Sequence, residues 1–132
     1  QGGITLMIEF ISNYFEYSDE RGSFHGLVNF GNWEEINIIS SEAFSIRGNH
    51  YHKYTDELFL ILEGRIKITL QKVLSNKKLD KEKKTFEALK GDVFLIKKNV
   101  NHIFETIEYS KWINVLSQKL NKDKPDIHRI AK

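Results

Sequence analysis

Two histidines separated by one residue, His50 and His52, are followed five positions later by Glu57, and a third histidine, His102, stands far along the chain. On an extended strand the side chains alternate faces, so His50 and His52 point to one side while Tyr51 points to the other. Two imidazoles on one face can share one ion. Glu57, at the start of the next strand after a short turn, can fold back beside them, and His102 completes the set if its strand runs alongside. Three neutral imidazoles and a carboxylate suit a divalent transition metal such as Zn, Fe, Mn or Ni, with positions left for water or substrate. The candidate metal ligands are therefore His50, His52, Glu57 and His102.

The elements that would hold such a set are β-strands. Runs of β-branched and aromatic residues bounded by Gly, Asn, Asp or Ser predict strands at Ile8–Phe15, Gly26–Phe30, Glu35–Ser40, Ala43–Tyr51, Glu57–Glu63, Arg65–Gln71, Thr85–Leu89, Asp92–Ile96, His102–Thr106 and Lys111–Ser117. Glu63-Gly64 and Lys90-Gly91-Asp92 read as turns between strands. No segment sustains an apolar repeat at helical spacing. Many short strands with tight turns point to an all-β sandwich or barrel.

The 132 residues support one domain. Residues 1–6, ahead of the single methionine Met7, read as an expression remnant. Residues 7–120 form the barrel, and residues 121–132, with the lone Pro125, form a polar C-terminal tail. Hydrophobic residues make up 40% of the chain, including nine Phe, five Tyr and two Trp, which is apolar mass enough for a core. There is no cysteine, which excludes disulfides and thiolate metal sites and fits a reducing compartment. No apolar run approaches the ~20 residues that span a bilayer, and a cytoplasmic protein without membrane partners is expected. The net charge of +2 comes largely from the lysines of residues 72–90. That segment reads as a solvated loop or hairpin, and because only Phe86 interleaves with the lysines, no nucleic-acid stacking platform is expected.

The chain from His50 to Gly64 resembles the first motif of the cupins, G-x5-H-x-H-x3-4-E-x6-G, with His50, His52, Glu57 and Gly64 in register and Phe44 in place of the leading glycine. Gly91 to Thr106 resembles the second motif, G-x5-P-x-G-x2-H-x3-N. There His102 is the histidine, and Lys97, Asn99 and Thr106 replace the proline, second glycine and asparagine. The resemblance implies a cupin barrel, a double-stranded β-helix of jelly-roll type. A narrower resemblance rests on Asp19-Glu20-Arg21-Gly22 and Arg47-Gly48-Asn49-His50-Tyr51-His52-Lys53. These stretches are similar to segments of sugar-nucleotide 3,4-ketoisomerases, of dTDP-4-dehydrorhamnose 3,5-epimerase-like cupins and of the C-terminal cupin of capsular-polysaccharide reductases.

This narrower resemblance implies an isomerase or epimerase that moves a proton next to the keto group of a nucleotide-linked 4-keto-6-deoxy sugar, in bacterial surface polysaccharide biosynthesis. It implies His50 and His52 as catalytic residues, and Arg47, Asp19 and Arg21 as substrate-binding residues. It also implies a homodimer, and no metal if the ketoisomerase-like route holds; those ketoisomerases lack counterparts of Glu57 and His102, which this chain retains. Arg47 lies three residues before His50, so an undistorted strand would place the two on opposite faces. Gly48 permits a bulge that would swing the guanidinium back to the mouth. Two other readings stand beside this one: a metal-dependent cupin enzyme such as a dioxygenase or phosphosugar isomerase, and a non-catalytic ligand-binding cupin.

Overall fold

Alternation of apolar and polar residues decides which side of each strand is buried. In Trp112-Ile113-Asn114-Val115-Leu116 every second side chain is buried, and Ile66, Ile68 and Leu70 do the same on their strand. The computed structural model describes residues 6–130, so apart from Leu6 the segment expected to be an expression remnant lies outside the described residues. All regular structure among these residues is β: β1 (Ile8–Phe10), β2 (Phe15–Asp19), β3 (Gly22–Gly26), β4 (Glu35–Ser41), β5 (Ile46–Tyr51), β6 (Glu57–Glu63), β7 (Arg65–Ser75), β8 (Lys78–Leu79), β9 (Lys84–Leu89), β10 (Val93–Ile96), β11 (Val100–Thr106), β12 (Ser110–Leu116) and β13 (His128–Arg129). No helix is long and apolar enough to cross a membrane.

The strands form the expected cupin jelly roll. One antiparallel sheet runs in the order β1-β10-β6-β12-β4, and the other in the order β13-β5-β11-β7-β8, with β9 also on β7. Between them the rings of Phe59 and Phe94 stack at 5.3 Å, Phe104 reaches Phe59 at 5.0 Å, and Trp112 lies 5.4 Å from Phe104. Each such burial contributes about 1.5–3 kcal/mol. Phe59, Phe104 and Trp112 of this layer also line the cavity described below.

Three segments differ from expectation. The strand expected at Gly26–Phe30 is absent, and the one expected at Ile8–Phe15 stops at Phe10. Residues 15–26 form instead a separate hairpin, β2–β3. Its turn is set by Asp19, whose Oδ1 accepts from the Arg21 amide at 2.9 Å, and by Gly22 at φ 137°. The strand expected from Ala43 begins only at Ile46, because Phe44 sits at φ 63° and cannot continue a ladder. Segment 72–90 is a hairpin, as expected, with β7 running on to Ser75.

Candidate active site

β5 and β11 pair with His50 opposite His102, so their rings meet at a centroid distance of 4.8 Å. His52, just past the end of β5, lies 5.2 Å from His50 and 5.7 Å from His102. One nitrogen of each of the three rings falls within 4.8 Å of the others. Tyr51, facing the other way as alternation requires, is fully buried, and its hydroxyl accepts from the Lys77 amide at 3.0 Å. Glu57 opens β6 in the facing sheet, and its Oε1 lies 2.9 Å from His52 Nε2 and 3.2 Å from His102 Nε2. The structure thus brings together all four residues singled out by spacing.

The motif departures keep the backbone shape that glycine would have provided. Phe44 has φ 63° and Asn99 has φ 61°, both in the left-handed region. Thr106, in place of asparagine, donates from Oγ1 to the Glu42 carbonyl at 2.6 Å and accepts from the Ser45 amide at 2.9 Å. The turns before His50 and His102 therefore survive their substitutions.

Arg47 reaches the cavity because β5 bulges. His50 faces His102 and Gly48 faces Ile103, so Asn49 is the extra residue, and Gly48 and Asn49 take φ 95° and 62°. A Cβ on Gly48 would stand 2.6 Å from the His102 carbonyl oxygen, which explains why only glycine fits there. The Arg47 guanidinium donates to Ser41 Oγ and, at 3.1 Å, to the Ser40 carbonyl. Asp19 and Arg21 are not brought to the cluster within this chain. They pair with each other at 2.6 Å at the tip of the β2–β3 hairpin.

Three further residues escaped sequence reasoning. Asn114 donates from Nδ2 to Glu57 Oε2 at 2.6 Å and accepts from Asn37 Nδ2 at 3.0 Å. Its signal was a polar residue on the inward face of an otherwise apolar alternation. Asp126 lies in the segment expected to be a polar tail, and its carbonyl oxygen stands 2.5 Å from His52 Nδ1. Arg129, on β13, pairs in register with His50 and lines the same cavity of about 480 Å³ as Arg47, His50, His52, Glu57 and His102.

These partners set the charges. His52 has an acceptor near each nitrogen, the Asp126 carbonyl and the Glu57 carboxylate. Burial would lower its pKa, but Glu57 and Asp126 outweigh burial and raise it. Burial would likewise raise the Glu57 carboxyl, yet His102 and His52 hold it well below the usual carboxylate range. His50 is the opposite case: burial first, then repulsion from His102 and His52, pushes it down to about 3. It is neutral at pH 7, and its Nδ1 is buried with no hydrogen-bond partner.

The three histidines, one nitrogen of each within 4.8 Å of the others, fit a divalent ion, with Glu57 beside two of them. Behind the candidate ligands stand outer partners of the kind metal ligands use: the Asp126 carbonyl behind His52, the Val100 carbonyl 3.3 Å from His102 Nδ1, and Asn114 behind Glu57. The unpartnered His50 Nδ1 shows unfilled bonding capacity. Such an ion would take over the Nε2 atoms that now face Glu57, so the ion and the hydrogen-bonded set are alternative states of one cluster.

The family model described as polysaccharide biosynthesis C-terminal domain matches residues 17–126. No curated protein sequence matches the chain. Among solved structures, the capsular polysaccharide assembling protein CapF from Staphylococcus aureus is similar with a TM-score of 0.68 and 21% identity, over 89% of this chain and 32% of CapF. The chain thus spans about a third of that protein's length. A mutant of the 3,4-ketoisomerase QdtA from Thermoanaerobacterium thermosaccharolyticum, in complex with TDP-4-keto-6-deoxyglucose, is similar with a TM-score of 0.71 and 17% identity, over 96% of this chain and 89% of that one. The dTDP-4-dehydrorhamnose 3,5-epimerase from Elizabethkingia anophelis gives 0.69 and 19%, over 89% and 78%. At these identities the likeness establishes the fold.

Proposed function

The chain belongs to the polysaccharide biosynthesis C-terminal domain family, and from that premise we propose that it is an isomerase or epimerase of a nucleotide-linked 4-keto-6-deoxy sugar, working in bacterial surface polysaccharide synthesis. The observation that carries this reading is the pairing of His50, its buried Nδ1 unpartnered, with a His52 held between the Glu57 carboxylate and the Asp126 carbonyl in one arginine-flanked cavity. His50 accepts a proton from the carbon beside the keto group, and the electron pair moves onto the carbonyl oxygen to give an enediolate. His52, whose pKa is raised by Glu57 and Asp126, favours that developing charge electrostatically in its protonated form. Return of the proton to the former carbonyl carbon, with the neighbouring hydroxyl's proton passing to the former carbonyl oxygen, gives the shifted ketone, and return to the opposite face of the original carbon gives the epimer. General acid–base help of this kind contributes roughly 10²–10⁴-fold. Arg47 offers its forked guanidinium to a phosphate of the nucleotide. The substrates of QdtA and the epimerase support this choice of sugar. A homodimer in the cytoplasm belongs to the same reading.

A second reading keeps the same residues but adds a metal, and the outer partners of His52, His102 and Glu57 favour it. His50, His52, His102 and Glu57 would hold a divalent ion, which supplies Lewis-acid polarisation of a bound oxygen. Incubation with TDP-4-keto-6-deoxyglucose in D₂O, followed by proton NMR, tests the main reading. Deuterium should enter beside the keto group and an isomeric sugar should accumulate; no exchange removes the reading. Elemental analysis of the protein as purified decides between the two, with a stoichiometric divalent metal placing the second ahead.

A further inference from the structure

The segment after β12 does more than cross the surface. Its Leu120 amide is bound by Glu35 at 2.8 Å and its Lys119 amide by Glu34 at 3.0 Å. Asp126 then locks it down: its carboxylate accepts from the Lys53 and Tyr54 amides at 2.9 and 2.8 Å and from Thr55 Oγ1 at 2.9 Å. Those three residues form the turn between His52 and Glu57. Beyond Asp126 the chain adds β13 to the free edge of β5, pairing Arg129 with His50, and the Ile130 amide donates to the Asn49 carbonyl at 3.0 Å. The strap therefore brings Arg129 to the side of β5 opposite β11, at the mouth of the cavity that Arg47 also lines.

Neither arginine is neutralised. Among the described residues no carboxylate lies within ion-pair distance of Arg47 or Arg129, and the hydrogen bonds of Arg47 go to a hydroxyl and a carbonyl. Glu35, the carboxylate at the same rim, is spent on the Leu120 amide and on Asn37. His52, the basic side chain deeper in the cavity, is already paired with Glu57 at 2.9 Å. Two uncompensated guanidiniums at one mouth are complementary to a ligand group with two adjacent anionic centres.

We propose that the C-terminal strap is a working part of the site, with Arg129 and Arg47 forming a two-armed clamp for the diphosphate of a nucleoside diphosphate. This rests on the nucleotide-linked reading above and adds a second arm, delivered by a segment that the ligand itself would hold in place. Because β13 is only an edge strand of two residues, a ligand bridging Arg129 to Arg47 ties the strap across the bulge of β5.

Calorimetric titration of wild type, Arg129→Gln and Arg129→Lys with thymidine diphosphate, inorganic pyrophosphate and thymidine tests the clamp, with hydrogen exchange of the amides of 127–130 recorded with and without thymidine diphosphate. Arg129→Gln should weaken thymidine diphosphate and pyrophosphate about 10- to 100-fold, the range for charge-assisted hydrogen bonds, and leave thymidine unchanged. Arg129→Lys should fall between, and ligand-induced protection of 127–130 should vanish in Arg129→Gln. Equal affinity of wild type and Arg129→Gln for thymidine diphosphate overturns the clamp and leaves the nucleotide-linked reading standing. Binding of pyrophosphate but not thymidine diphosphate removes the nucleoside diphosphate as the ligand and overturns the proposal together with that reading. No binding of either by wild type overturns both.

Discussion

The wall made by β5 and β11 of one sheet and β6 of the facing sheet, and the hairpin β2–β3, both carry motif residues on antiparallel strands, yet they treat those residues in opposite ways. In the wall, His52, Glu57 and His102 are each under 10% exposed and each has a partner from a distant part of the chain. In the hairpin, Asp19 and Arg21 satisfy each other, Phe15 packs on Phe24 at 5.6 Å, and Tyr17 and Phe24 are more than half exposed. A two-stranded hairpin has no second sheet to bury its side chains, and so it orders only what is local. Burial between two sheets is what turns polar residues into a site. It removes water from the histidines and glutamate and makes each one's charge depend on the others.

The largest effect that would break this contrast is on chemistry in the wall. His50→Asn should lower turnover of TDP-4-keto-6-deoxyglucose by roughly 10²–10⁴-fold, with a thermal midpoint close to that of wild type. Equal activity in the two proteins would end the catalytic assignment of the wall.

Next comes the bulge that aims Arg47. Gly48→Ala places a Cβ against the His102 carbonyl at a left-handed φ, and should cost about 2–4 kcal/mol in urea unfolding. A midpoint that does not move would mean the bulge relaxes freely, and Arg47 would lose its fixed direction.

A pH series sharpens the electrostatic half of the comparison. The His50 pKa is about 3 in the fold against 6.5 in the unfolded chain, so below pH 6.5 the unfolded chain takes up a proton that the fold refuses. Stability is therefore lost as pH falls from 6.5 toward 3, at roughly 1 kcal/mol per pH unit from this group. With chelator present, wild type should lose stability faster than His50→Asn over that window. Parallel curves would place His50 in water rather than in a desolvated cluster.

The smallest effect belongs to the hairpin. Arg21→Ala removes an exposed pair and should leave the thermal midpoint where it was. If the same variant loses affinity for thymidine diphosphate, the hairpin reaches a ligand through a second copy of the chain, and the contrast holds only within one chain.

Much of the wall was legible because its signals are local. Alternation puts His50 and His52 on one face and Tyr51 on the other, a short turn returns Glu57, and Gly48 two residues before His50 marks the bulge. The hairpin was misplaced for a related reason. Gly26-Leu27-Val28 reads as a strand start, whereas an Asx turn at Asp19 had already paired the residues before Gly26. Phe44 and Asn99 read as losses of turn chemistry. A non-glycine residue can still be held at positive φ when the ladders on both sides leave the chain no other path.

From its residues alone, the chain determined an all-β sandwich or barrel, the four candidate ligands and the side of β5 that carries two of them, because side-chain alternation and turn chemistry act within a few residues. Tertiary structure decided the direction in which the pKa values of His50, His52 and Glu57 move, and the second half of the site. Asn114 meets Glu57 across 57 positions and the Asp126 carbonyl meets His52 across 74. No local pattern encodes such contacts, since they exist only once two sheets and a returning strap enclose the same small volume and expel its water.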